Sequence, residues 1–91
     1  MRCLIAYDIA DARRLQRVQR HMQQHARALQ RSVYLFEGHD AALARCLDGV
    51  KQRIDPACDD VRVYAISQTT RLLHAGKALS VDGIWLDSDV F

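Results

Sequence analysis

Cys3-Leu4-Ile5-Ala6-Tyr7-Asp8-Ile9-Ala10-Asp11 opens with five apolar residues in a row and then stops at an acid. An unbroken apolar run suits a central strand covered on both faces, since a half-exposed strand would alternate. Asp11 follows as a candidate helix N-cap, its short carboxylate suited to the free amides of a first turn. Beyond it, at about 100° per residue, Leu15, Val18 and Met22 fall on one side and Arg13, Arg17 and Arg20 on the opposite side. The stretch therefore reads as strand, turn and amphipathic helix, with one helix face on a sheet and an arginine stripe in solvent. The helical pattern fades between His25 and Ala28, with no glycine to end it.

Further along, Arg31-Ser32-Val33-Tyr34-Leu35-Phe36-Glu37 is β-rich. With Ala28-Leu29-Gln30 before it, it forms two short strands or one bent one. Gly38-His39-Asp40 makes a turn, with Asp40 as the next candidate N-cap. Leu43, Cys46, Leu47, Val50 and Ile54 then recur at helical spacing, weakened by Gly49 and expected to stop at Asp55-Pro56. Asp60 leads into Val61-Arg62-Val63-Tyr64-Ala65-Ile66, read as an alternating strand. This order is the ferredoxin-like βαββαβ pattern of the α+β class, an antiparallel sheet with both helices on one face. Residues 67–80 are expected to be a connector, and Ile84-Trp85-Leu86 a short extra C-terminal strand. The 91 residues read as one domain, a core of about 2–66 and an extension of about 67–91. A chain this short buries only a little over half its unfolded surface, and its exposed sheet edges invite a second copy.

Composition narrows the function. The apolar share of 49% supports a folded core, and no apolar run approaches the roughly 20 residues of a membrane helix. The apolar start is too short for a signal peptide, so the expectation is a cytoplasmic protein with no membrane role. Cys3, Cys46 and Cys58 form no C-x-x-C pair, and Cys3 and Cys46 read as buried small hydrophobes. His21 and His25 stand at i, i+4 but lack a third ligand or the Glu of a zinc protease, so they are expected on a partly exposed helix surface. Net charge is only +2, yet no acid occurs from Ala12 to Phe36, where Arg13, Arg14, Arg17, Arg20, Arg27 and Arg31 all lie. Such a split leaves a positive patch of the kind that meets nucleic acid.

Two readings stand for Asp8, the acid at the end of the first strand. It caps its own turn, or it binds a divalent cation. One carboxylate is too few for Mg²⁺, which takes six oxygens, so a two-fold axis would have to bring a second, with waters and phosphate completing the shell. The metal would then activate water for phosphodiester attack. Asp11, three residues on, is explained by helix capping or as an outer helper. The stripe of Arg13, Arg17 and Arg20 is an ordinary solvated face or a phosphate contact; no acid on the helix offers it i, i+4 pairs. Arg14 lies off the stripe and is free to serve the turn. No P-loop, dinucleotide fingerprint or Ser/His/Asp arrangement occurs. Ser32 has no evident base, although strand ends brought together would set it near Asp8.

Three segments in order resemble the CRISPR-associated protein 2 family: Leu4-Ile5-Ala6-Tyr7-Asp8-Ile9-Ala10-Asp11 with Arg13-Arg14 and Arg17-Val18; Gln30-Arg31-Ser32-Val33-Tyr34-Leu35-Phe36-Glu37; and Ile54-Asp55-Pro56 with Asp59-Asp60-Val61-Arg62-Val63-Tyr64. The resemblance implies a ferredoxin-like homodimer whose two Asp8 carboxylates share one Mg²⁺. It implies a role in spacer acquisition, the dimer bridging the CRISPR integrase and holding duplex DNA. It also implies metal-dependent endonuclease activity on RNA or DNA, as described for some members. Asp8 matches the catalytic metal ligand, and Arg13, Arg17 and Arg20 match a basic region facing phosphate. Ser32 and Phe36 match the central motif, with Arg31 beside them. The family's aromatic position after Ser-Val is filled by Tyr34 or by Phe36. The contrasting reading is a ferredoxin-like module that binds a small ligand or a partner without catalysis, Asp8 being structural.

Overall fold

The computed structural model describes residues 1–75 and the backbone of 89–90. Six strands and two helices occur among them: β1 (Arg2–Asp8), α1 (Ala12–His25), β2 (Arg27–Gln30), β3 (Val33–Glu37), α2 (Asp40–Lys51), β4 (Asp60–Ile66), β5 (Leu73–His74) and β6 (Asp89–Val90). The first four strands make one antiparallel sheet in the order β2-β3-β1-β4, so the apolar N-terminal run is central. Cys3, Ile5 and Tyr7 of β1 lie in register with Phe36 and Tyr34 of β3 and with Val63 and Val61 of β4. Alternation puts these side chains on the helix-covered face. Val18 and Met22 of α1 and Leu43, Cys46 and Val50 of α2 close the core over them. Ile5, Met22, Val18 and Val50 are almost wholly buried, each side chain contributing about 1.5–3 kcal/mol. The opposite face carries Leu4, Ala6 and Asp8 opposite Leu35, Val33, Tyr64, Arg62 and Asp60.

The segment left open between one strand and two is two, because Arg31-Ser32 forms a turn between β2 and β3 and a register shift falls at Ala28/Gln30. Helix α1 begins as expected: Asp11 is its N-cap, its carboxylate accepting the Arg14 amide at 3.0 Å. Helix α2 differs at both ends. Its N-cap is His39, with no side-chain cap bond, and Asp40 is already helical, where its charge still favours the helix dipole. It stops at Lys51, four residues short of Asp55-Pro56. There Gln52 and Arg53 donate their amides to Asp48 and Val50, and the Arg53 side chain caps the Gly49 carbonyl at 2.8 Å. Ile54 keeps the apolar rhythm from the following turn, packing on the core without being helical.

Strand β4 is an edge strand and alternates only weakly, with Val63 and Tyr64 both well exposed. Arg2 secures the segment after it, donating from one guanidinium nitrogen to the carbonyls of Ser67, Gln68 and Thr70. Beyond that, β5 and β6 pair in parallel as a small second sheet. The strand expected at Ile84-Trp85-Leu86 lies outside the described residues. His21 departs from its expected exposure. It is buried between the helices, Nε2 lying 2.7 Å from the Cys46 carbonyl, and a carbonyl only accepts, so Nε2 carries the proton. Its ring fills the space a side chain on Gly49 would occupy.

Candidate nucleic-acid and metal site

One end of the sheet gathers the residues of interest. The ladder between β1 and β4 finishes with Asp8 opposite Asp60. Beside it, the Arg31-Ser32 turn is drawn in by Tyr7, whose amide donates to the Ser32 carbonyl at 3.0 Å and whose hydroxyl donates to the Arg31 carbonyl at 3.2 Å. The Tyr7 ring stacks near Tyr34, centroids 6.0 Å apart, and burial holds its hydroxyl protonated. The sheet thus carries Ser32 to the strand end that bears Asp8. Phe36 goes elsewhere. It is a core residue opposite Cys3, five residues up β1 from Asp8 and about 17 Å away along the strand. Tyr34 is equally buried, so both candidates for the family's aromatic position serve the core.

Asp8 is exposed, and no described residue hydrogen-bonds or pairs with its carboxylate. The turn-capping work belongs to two other acids. Asp11 accepts the Arg14 amide, a bond that holds its carboxyl below the usual carboxylate range. Asp59 accepts the Ala10 amide at 2.9 Å and the Asp55 amide at 2.8 Å. It also takes a two-pronged ion pair from Arg14, Nε at 2.8 Å and Nη2 at 3.1 Å. The Arg14 bonds lead in holding the Asp59 carboxyl far below its ordinary range. Arg14 therefore serves the turn and is withdrawn from any phosphate.

Across from Asp8, Asp60 accepts from Arg62 Nε at 2.9 Å on the same strand face. Cβ atoms of directly opposite residues stand about 4.5–5.5 Å apart, so two carboxylates share this corner of the chain. Among the described residues no group of three or more His, Cys, Asp or Glu is placed to hold a metal. The donor set fits an open site for a hard cation, with an uncommitted carboxylate offering oxygen and the rest of the shell supplied from outside the chain.

Arg13, Arg17 and Arg20 are exposed on α1, and no described acid pairs with any of them. They span about 10 Å along the helix axis. By strand alternation Asp8 points to the face the helices do not cover, whereas the stripe faces outward from the helix layer. The two features share a molecule and occupy different layers of it. Arg31 is exposed in its turn beside the Asp8 end.

Asp59 and Asp60 were missed by sequence reasoning. Their roles depend on partners some fifty residues away, and the only local hint was Arg14 standing off the stripe.

Fold and site together define a small α+β domain that presents one uncommitted carboxylate at a strand end and one acid-free arginine helix. The family model described as CRISPR associated protein Cas2 matches residues 1–72, and the chain belongs to that family. It is 40% identical over 81 residues to the CRISPR-associated endoribonuclease Cas2 1 of Nitrosomonas europaea, covering 89% of this chain and 77% of that protein. The fold is similar to the crystal structure of Streptococcus pyogenes Cas2 at pH 6.5, with a TM-score of 0.70 and 23% identity over 76% of this chain and 89% of the other. A hypothetical protein of Thermus thermophilus superposes with the same TM-score of 0.70 at 19% identity, over 93% of each chain. No described helix is long and apolar enough to cross a membrane.

Proposed function

We propose that the chain is a ferredoxin-like, metal-dependent endonuclease and nucleic-acid-binding subunit of CRISPR adaptation, acting in the cytoplasm as a homodimer. The observation that carries the reading is the free Asp8 carboxylate. Each nearby acid is committed, Asp11 and Asp59 to backbone amides and Asp60 to Arg62, while Asp8 is held at the surface with no partner among the described residues. Two copies related by an axis near Asp8 would offer one Mg²⁺ a carboxylate each. When bound, the metal supplies a Lewis acid and an activated water for phosphodiester hydrolysis. The chain's own part is to fix Asp8 at the end of a rigid strand, with Ser32 and Arg31 alongside to meet the sugar-phosphate. Kinship with a relative named as an endoribonuclease supports RNA as one substrate class.

A second reading rests on the separation of layers. Arg13, Arg17 and Arg20 lie on another surface from Asp8, so the stripe suits a duplex held by backbone charge and not cut. On this reading the dimer bridges the CRISPR integrase during spacer acquisition. The contrasting idea of a small-ligand module gains nothing, because it leaves the bare arginine face unexplained.

The deciding experiment is cleavage of labelled RNA and duplex DNA with Mg²⁺ or chelator, wild type beside Asp8→Asn. Cutting that needs metal and falls at least about a hundredfold in the variant is expected. Cutting that survives in chelator or in Asp8→Asn would reject the metal site. No cutting by wild type, with salt-sensitive duplex binding intact, would favour the bridge alone.

A further inference from the structure

Asp59 enters the reading above only as an acid already committed, yet it is the most heavily bonded side chain in the described molecule. Its carboxylate is shut off from solvent and accepts four hydrogen bonds from three segments. The donors are Ala10 in the loop leaving β1, Arg14 in the first turn of α1, and Asp55 in the turn leaving α2. The next residue, Asp60, starts β4 in register with Asp8. Asp8, Ile9, Ala10, Asp59 and Asp60 thus form a closed ring of five residues, joined by peptide bonds, one hydrogen bond and one ladder position.

We infer that Asp59 is a positioning residue for Asp8, the ring fixing where β1 ends and hence where the Asp8 carboxylate stands. The inference rests on the reading of Asp8 as a metal ligand. Without the ring, Ile9 still packs on the core, but the next described hydrogen bond holding the chain after Asp8 is the Asp11 cap, three residues on. The geometry requires a carboxylate, because both oxygens accept two donors each. An amide in its place turns an NH₂ group toward donors, and donors cannot pair. The Arg14 fork closes the fourth side, and its planar pair of N–H groups matches two oxygens as a lysine could not. The arginines that face solvent play no part, so ring and stripe are separable by mutation.

The test uses the full chain labelled for NMR, with Mg²⁺ alone as the probe. In wild type the Asp8 carboxyl carbon shifts on Mg²⁺ titration. In Asp59→Asn the Ala10 amide should lose hydrogen-exchange protection, and the half-saturating Mg²⁺ concentration at Asp8 should rise about tenfold, the scale set by lost support of a metal ligand. Affinity for duplex DNA at fixed salt should not move. An unchanged half-saturation in folded Asp59→Asn, with wild type responding, would overturn the inference alone. A parallel loss of duplex affinity would overturn it too, showing general disturbance in place of positioning. A wild-type Asp8 that ignores Mg²⁺ would overturn the metal reading and the inference with it. Should Asp59→Asn fail to fold, Arg14→Gln removes the fork and spares the two amide bonds. It should raise half-saturation in the same direction by about threefold, and no rise would count against the inference.

Discussion

Gly49 and His21 show how one missing side chain sets the distance between two helices. A Cβ at position 49 would enter the His21 ring, which is buried and bonded to the Cys46 carbonyl, so neither partner can give way cheaply. Gly49→Ala is expected to lose about 1–3 kcal/mol to overpacking, less about 1 kcal/mol regained from helix propensity. The net loss should appear as a lower urea midpoint with unchanged slope. In a His21→Ala background the same alanine should cost nothing further, a coupling that a double-mutant cycle measures directly. Sequence reading took Gly49 only as a weak point in a helix and His21 as a surface residue. Nothing local distinguishes a glycine that weakens a helix from one that admits a neighbour, because the neighbour arrives from twenty-eight positions earlier in the chain. Asp8 was legible as a candidate because an acid ending an apolar run is locally odd. Its freedom from partners among the described residues became visible only when Asp11 and Asp59 were seen doing the work of the turn.

Among the elements, β1 and α1 were the most legible, since their patterns are long and bounded by residues with strong local preferences. The end of α2 was the least. Ile54 continues the helical spacing from a turn, and proline marks the outer limit of a helix without marking its last residue. Helix α1 makes two predictions. Reversing Arg13, Arg17 and Arg20 to Glu should abolish duplex binding at moderate salt; each single Arg→Gln should flatten the salt dependence by about 0.9 in log–log slope. Unaltered binding in the triple variant would remove the stripe from the interface. The other end of the helix predicts a pH effect. Partial burial first, and then His21, Arg45 and Arg53, hold His25 below its ordinary pKa. A depressed histidine favours the neutral form in the folded state, so its contribution is present above about pH 6.5 and is lost as acid charges it. The urea midpoint should fall between about pH 7 and about pH 5, and His25→Gln should flatten that fall. Asp59 and Asp11 are depressed carboxylates and act with the same sign, the folded state again favouring the deprotonated form. Their contribution persists above about pH 4 and fades only in stronger acid.

At the scale of the whole molecule, helices cover one side of the sheet and β4 closes one edge with little over it. Tyr64, half exposed beside Leu4 on the uncovered side, would serve the proposed homodimer as an aromatic anchor. Tyr64→Glu should shift sedimentation from dimer toward monomer and reduce Mg²⁺-dependent cleavage with it, while circular dichroism stays unchanged. A Tyr64→Glu protein that remains dimeric would place the contact elsewhere. The α+β class, an antiparallel sheet with two helices, was legible from the alternation of strands and helices, because few topologies satisfy short connections and right-handed crossovers together. What no pattern announced was which loops would meet at which sheet end.

The ladder between β1 and β4 joins the first residues of the chain to residues beyond position 59. Synthesis runs from the N-terminus, so Asp8 and the arginine stripe emerge some forty residues before Asp59 and Asp60. Pairings so distant in sequence form late. Until they do, the strand end that carries Asp8 is held on its β3 side through Tyr7 and lacks its β4 partner. On the proposed function, a corner meant for nucleic acid thus stays half assembled while much of the chain is being made on the ribosome, itself an assembly of RNA.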